Sequence, residues 1–176
     1  MIRYVAFLRA INVGGRVVKM DALKTMLTLP GIKNISTYIQ SGNVVFDSTA
    51  EKDVLEQKIE KKLLATLGYE VKTIIKTLPD MEFIIKNNPF KKYDEDMGLH
   101  VSFLSGVPDA DAVKELLLLQ NDNEQFRVSG TEAYLLVKTG AYGKTKFSNT
   151  FLEKKLKIKA TTRNWATVNK MLEFKK

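Results

Sequence analysis

Residues 35–46 read ISTYIQSGNVVF, and this stretch decides the fold. Two strand-forming runs, Ile35 to Ile39 and Val44 to Phe46, flank Ser41-Gly42-Asn43, whose turn chemistry is that of a tight hairpin. On the N-terminal side, Tyr4 to Leu8 is a continuous apolar run, as expected of a strand covered on both faces. Between them, Leu23, Met26 and Leu27 fall at helical spacing, and Pro30-Gly31 stops that helix. On the C-terminal side, Leu55, Ile59, Leu63 and Leu67 form one helical stripe. Ser48 is placed to form a capping box with Glu51, and Gly68 to end the helix. A further strand over residues 71–76 completes the order β-α-β-β-α-β, the pattern of a ferredoxin-like unit.

The second half repeats that order. A connecting helix over 78–87 has Thr77 as its cap and Asn88-Pro89 as its stop. Leu99, Val101 and Phe103 alternate along a strand, and residues 110–119 form a helix. The runs 125–128 and 133–137 bracket Ser129-Gly130-Thr131 as a second hairpin. A short helix over 148–156, a strand over 157–161 and a final helix lined by Trp165, Val168 and Leu172 follow. YVAFL at 4–8 matches HVSFL at 100–104, and SGN at 41–43 matches SGT at 129–131, which points to an internal duplication. The expected class is α+β: two ferredoxin-like units in tandem, residues 1–77 and 98–162. A connecting helix and acidic loop spans 78–97, and a C-terminal helix spans 163–176.

Composition removes several classes of function. An apolar fraction of 44% with 27% charged residues is that of a globular chain, neither disordered nor membrane-embedded. No apolar run approaches the roughly 18 residues that span a bilayer. MIRYVAFLRA holds only a five-residue apolar stretch, too short for the core of a signal peptide. The absence of cysteine excludes a disulfide framework and thiolate chemistry, and a cytoplasmic setting is expected. The single histidine, His100, falls mid-strand, which argues against a Ser-His-Asp triad or a histidine metal site. Asp94-Glu95-Asp96 reads as a solvated acidic loop, and no metal or cofactor is expected. Charge is uneven: the net is +5 up to Thr77, −5 from Leu78 to Gly130 and +8 thereafter, an asymmetry that favours anionic partners.

Four clusters of glycine, amide, hydroxyl and basic residues carry the functional signal: RAINVGGR at 9–16, QSGN at 40–43, GKTK at 143–146 and TTRNW at 161–165. Arg9, at the end of the first strand, offers a guanidinium fork to phosphate or carboxylate. Gly14 and Gly15 permit positive φ, which turns successive N–H groups toward one anion. Asn12, Gln40, Ser41 and Asn43 are candidates to orient a polar ligand. The competing reading is a plain strand-to-helix loop. In a ferredoxin-like unit the loop after the first strand lies beside the hairpin, so these residues form one site.

Lys144 and Lys146 precede a helix start, a favourable place for phosphate, and the same topology brings them beside Thr161, Arg163 and Asn164 as a second site. Gly143-Lys144-Thr145 is not a P-loop, because the first glycine of that motif is replaced by Lys138. Thr162 reads as the cap of the last helix, with Arg163 in its first turn against the helix dipole. The clusters contain no carboxylate to hold magnesium or act as general base. The hairpins also lack the stacking aromatics of an RNA-recognition motif.

FLRAINVGG at 7–15, TYIQSGNVVF at 37–46, GKTK and TTRNW closely resemble the bacterial domain-of-unknown-function family 1697. The chain departs from that pattern at Ala10, where the family has glycine, and at Thr145, where it has serine. The resemblance implies a small, cytoplasmic, two-lobed α+β protein with no settled activity, and it carries over no catalytic residue. Together these readings predict binding of a phosphate-bearing small ligand, a nucleotide or phosphorylated metabolite, without a membrane partner. The alternatives are an enzyme that uses Arg and Lys as electrostatic catalysts on such a ligand, and sequence-independent binding to a nucleic-acid backbone.

Overall fold

Tyr4, Ala6 and Leu8 alternate along the first strand, β1 (Ile2–Leu8), and all three enter one hydrophobic core. The computed structural model describes residues 1–139 and 148–174. The chain divides into two compact units, Met1–Glu82 with Met171–Lys176, and Phe83–Lys170. In the first, β1 is followed by α1 (Met20–Met26), β2 (Lys33–Tyr38), β3 (Asn43–Ser48), α2 (Lys52–Leu67) and β4 (Thr73–Thr77). The sheet is antiparallel throughout, in the order β2-β3-β1-β4. Leu23 and Leu27 of the α1 region and Leu55, Ile59 and Leu63 of α2 join Val44, Phe46 and Ile75 in its core.

Helix α3 (Leu78–Lys86) carries the chain onward. The second unit contains β5 (Met97–Leu104), α4 (Ala110–Leu117), β6 (Glu124–Ser129), β7 (Glu132–Lys138), α5 (Asn149–Leu156), β8 (Ala160–Asn164) and α6 (Trp165–Lys170). Its antiparallel sheet has the order β6-β7-β5-β8. Leu104, Leu116, Phe126, Leu135, Leu152 and Leu156 are buried in one cluster. The protein is thus mixed α+β, with two four-stranded antiparallel sheets and six α-helices among the described residues. None of those helices is long and apolar enough to cross a membrane.

Several local signals act as read from the sequence. Gly68 ends α2 in the left-handed region at φ 76°. Thr77 and Asp80 cap α3 reciprocally, Asp80 N–H donating to Thr77 Oγ1 at 3.1 Å and Thr77 N–H to Asp80 Oδ2 at 2.8 Å. The helix expected from residue 148 begins there, with Ser148 as its cap accepting from Phe151 N–H.

Others differ, for physical reasons. Ser48 does not cap α2, because it remains in β3, paired with Ile2, and its Oγ accepts from Ala50 N–H instead. The last strand lies at 160–164 rather than 157–161, since α5 runs to Leu156 and Lys157 takes φ 56° as its C-cap. That shift puts Thr162 in the ladder opposite Ser102, and Asn164 becomes the cap of α6, accepting from Thr167 N–H at 2.8 Å. Arg163 is therefore a strand residue, not a first-turn helix residue.

Corresponding hydrogen bonds fix the ends of β1 and β5. Leu8 N–H donates to Gly42 O at 2.8 Å and Arg9 N–H to Lys72 O at 2.8 Å; Leu104 N–H donates to Thr131 O and Ser105 N–H to Lys159 O, both at 2.9 Å. By this register Gly42 stands where Thr131 does, so SGN and SGT are one residue out of step. The loops that follow differ more. Eleven residues separate β1 from α1, against five between β5 and α4.

The outer strands β4 and β8 are guarded by helix carboxylates. Glu60 Oε1 accepts from Thr73 N–H at 2.9 Å and Glu56 Oε1 from Ile75 N–H at 2.8 Å. Glu153 Oε1 does the same for Ala160 N–H at 2.9 Å. Edge N–H groups that would otherwise invite another strand are thus satisfied within each unit. On β1, Arg3 forks onto Asp47 with both N···O distances at 2.7 Å, and its Nη1 donates to Phe174 O at 2.8 Å.

Candidate anion site at the end of the first sheet

Asn12 ties together the two loops that the sequence places at this end. Its Nδ2 donates to Gln40 O at 2.7 Å and to Val18 O at 3.1 Å, and its Oδ1 accepts from Val18 N–H at 2.5 Å. Both amide protons and the carbonyl are therefore committed to framework. Asn43 has the same kind of duty. It is fully buried, and its Nδ2 donates to Tyr38 O and Ser41 Oγ, both at 2.9 Å, closing the hairpin from within. Gly42 lets the loops approach: at φ 78°, a Cβ there would lie 2.7 Å from Ile11 Cγ2 and 3.0 Å from Leu8 Cβ.

Around this framework the outward groups are basic or backbone. Gly14 and Gly15 have φ of 63° and 83° and open space where a Cβ would sit. Among the described residues, neither glycine's N–H has a backbone or side-chain acceptor. Gln40 and Ser41 are exposed and Arg9 is half-buried. The Arg16 guanidinium lies 4.0 Å from the centroid of the Tyr69 ring, and Tyr69 OH donates to Ile11 O at 3.3 Å, which anchors the loop from its other side.

Two further residues bear on the site and lie outside the candidate binding set read from the sequence. Ala10 and Ile39 adopt positive φ, 57° and 46°, although neither is glycine. A β-branched residue in the left-handed region is an outlier that its surroundings must enforce. Ala10 is also the position where the family resemblance leads to an expected glycine. The Arg16–Tyr69 pairing is not legible in the sequence, because the two residues are 53 apart and meet only in the fold.

Arg9, Asn12, Gly14, Gly15, Gln40, Ser41 and Asn43 thus come together at one end of the first sheet, with Asn12 and Asn43 as framework. The other proposed cluster is differently placed. Lys144 and Lys146 lie outside the described residues. Thr161 and Arg163 are buried, and Arg163 Nη1 donates to Thr161 Oγ1 at 2.8 Å and Thr162 O at 2.9 Å. Thr162 is bound to Asn149 at 2.6 Å, and Asn164 is spent as a helix cap. His100 is half-buried within β5, where burial lowers its pKa. Trp165 is half-buried at the start of α6, and Asp96 pairs with Lys138 at 3.3 Å.

A separate concavity of about 400 Å³ is lined by Arg3, Asn34, Ser36 and Phe174. Arg3 donates to Asp47 and to Phe174 O, and Asn34 Nδ2 also donates to Asp47, so its charged groups already answer one another.

A solved structure of a conserved bacterial protein, SP0830 from Streptococcus pneumoniae, is similar to this chain, with a TM-score of 0.75 and 25% sequence identity. The likeness covers 98% of this chain and 97% of that one. No curated protein matches the chain. Residues 1–134 match the family described as protein of unknown function, DUF1697. That span contains both FLRAINVGG and TYIQSGNVVF, the segments of the candidate site, and the chain belongs to the DUF1697 family.

Proposed function

We propose that the protein binds a phosphate-bearing small ligand, a nucleotide or phosphorylated metabolite, at the end of the first sheet. The observation that carries this reading is the pair of positive-φ glycines, Gly14 and Gly15, exposed on a loop clamped by Asn12 and with N–H groups that have no acceptor among the described residues. Consecutive N–H groups of this kind attract an oxyanion. The loop adds Arg9, Arg16 and Lys19, and neither it nor the QSGN turn contains a carboxylate. Two or three charge-assisted hydrogen bonds, each worth roughly 1.5–3 kcal/mol, are enough for binding at micromolar to millimolar concentration. The length of this loop, over twice that of its counterpart after β5, supports a function beyond connection.

Each unit is read as ferredoxin-like, supported by the β-α-β-β-α-β order and the two strand orders, and the pair as an internal duplication, supported by the matched hydrogen bonds after β1 and β5. The cysteine-free composition suits a cytoplasmic protein. A thermal-shift screen of nucleotides and sugar phosphates tests the binding, since a ligand that prefers the folded state raises the melting temperature. Stabilisation that disappears in Arg9→Ala is expected. No stabilisation by any of them at millimolar concentration would sink the reading, and turnover of a stabilising compound would turn it into an enzyme's site.

A further inference from the structure

Val13, Val17 and Ile39 are exposed by 55%, 76% and 46%, unusual values for valine and isoleucine, and all three belong to the loops of the candidate site. The Asn12 amide ties together the segments that carry them. Val13 follows Asn12 itself, Val17 precedes Val18, and Ile39 precedes Gln40, and that one amide holds Asn12, Val18 and Gln40 together. The clamp therefore places Val13, Val17 and Ile39, each exposed, on loops at the same end of the sheet as Gly14 and Gly15. Ile39 is kept there in a left-handed conformation that its branched Cβ disfavours, so its placement is enforced by the fold. Arg9, Arg16 and Lys19 supply the only charges of the loop, all positive.

We infer that the ligand is a nucleoside phosphate, whose ring system rests on Val13, Val17 and Ile39 while its phosphates meet the glycine N–H groups and the loop's cations. This rests on the reading of the site as a phosphate binder and narrows it. A bare phosphate or pyrophosphate would leave the apolar residues in water. A membrane surface would use the apolar residues, yet it has no need of paired backbone donors in a clamped loop. A ligand with a flat, weakly hydrated body joined to an anionic tail uses both halves of the surface.

Isothermal titration of the full chain with ADP, UDP and inorganic pyrophosphate tests the inference. At least one nucleotide is expected to bind about tenfold or more tightly than pyrophosphate. The double substitution V17S/I39S should erase about that tenfold advantage and leave pyrophosphate affinity within about twofold. Both side chains are exposed, and an unchanged melting temperature would verify that the fold survives. If pyrophosphate binds as well as either nucleotide, or the double variant weakens both equally, the nucleoside assignment falls and phosphate binding stands. If neither nucleotide nor pyrophosphate binds the wild type, the parent reading falls as well. Wild-type binding to anionic phosphatidylserine vesicles, lost in the double variant, with no nucleotide preference, would assign the surface to a membrane instead and overturn the proposal.

Discussion

Asn12 donates to the carbonyl of Gln40 at 2.7 Å, across 28 residues of sequence, and this bond joins the long loop to the hairpin. The same side chain closes the loop on Val18 through both its donor and its acceptor. Asn12→Ala removes three hydrogen bonds and leaves their backbone partners to water, at a cost of roughly 1–3 kcal/mol. Asn12→Asp keeps the acceptor and loses both donors, and it adds a negative charge where an anion is to bind. Denaturant titration should find both variants folded and less stable. The aspartate should be the more damaging to ligand affinity, and equal effects of the two on affinity would place the anion elsewhere.

Glycine substitutions separate framework from binding surface. At Gly42 an added Cβ meets Ile11 at 2.7 Å and the backbone is left-handed, so Gly42→Ala combines conformational strain of roughly 1–2 kcal/mol with overpacking of roughly 1–3 kcal/mol. At Gly14 and Gly15 only the first cost applies, since nothing lies within 4 Å of the added atom. Chemical denaturation should show Gly42→Ala as the worst of the three by a clear margin. Anion titration should respond most to Gly14→Ala and Gly15→Ala, which shift the N–H groups.

Ala10 and Ile39 hold strain that glycine would release. Left-handed backbone costs a non-glycine residue roughly 1–2 kcal/mol, and glycine gives back roughly 0.4–1 kcal/mol through its freer unfolded chain. Ala10→Gly and Ile39→Gly should therefore each stabilise the protein by about 0.5–1 kcal/mol. For Ile39→Gly the gain should come with weaker nucleotide binding, since the apolar surface goes with it. Melting curves and titrations on the same samples would read both. Unchanged or lower stability in both variants would mean that the left-handed turns hold no strain that glycine can release.

The sequence made much of this legible. The apolar stripes of α2, the Gly68 stop, the Thr77 cap and the approach of residues 9–16 to the QSGN turn all follow from local rules and topology. The misreadings share a cause. Serine, threonine and asparagine serve equally as helix caps and strand ends, and only the pairing partner decides; Ser48 and Thr162 are in ladders and Asn164 is the cap. Lysine gives no sign of a left-handed C-cap, so the sequence alone places Lys157 in a strand. Ile39 defies its own propensity because hairpin and clamp impose its conformation. The partition of the site into framework and surface was also hidden. Asn12 and Gln40 are both amide residues, and only the hydrogen bonds show that one is buried in duty and the other exposed.

The edge guard on β4 is open to a direct test. Glu56 lies half-buried against Ile75 N–H, and burial raises its pKa above the ordinary glutamate value. Glu56→Gln retains an oxygen acceptor and should be nearly neutral or mildly stabilising. Glu56→Leu strands the N–H and should cost roughly 1–3 kcal/mol. It also exposes an edge, so light scattering on a concentrated sample should detect self-association in the leucine variant and not in glutamine. Equal behaviour of the two would mean that the carboxylate does not protect the strand.

Acid stability should turn on Asp47. The Arg3 guanidinium beside it, aided by the Asn34 amide, holds its pKa down to about 2, against opposing desolvation. A carboxylate depressed in the folded state contributes stability that is fully present above its unfolded pKa of roughly 3.9 and lost as pH falls toward the folded value. With the aspartate only slightly exposed, the contribution is about 1–2 kcal/mol, and the loss falls between about pH 4 and pH 2. Glu56 acts with the opposite sign: its raised pKa favours the folded state as pH falls through that group's range, so it partly offsets the loss. Asp47→Asn should lower stability at pH 7 and flatten the fall between pH 4 and pH 2, while Glu56→Gln should remove the gain between pH 7 and pH 4 and leave the lower fall unchanged. Urea midpoints at pH 7, 4 and 2.5 for the wild type and both variants give the comparison. An Asp47→Asn protein that loses stability with acid as steeply as the wild type would show that the Arg3–Asp47 pair is not what fails first.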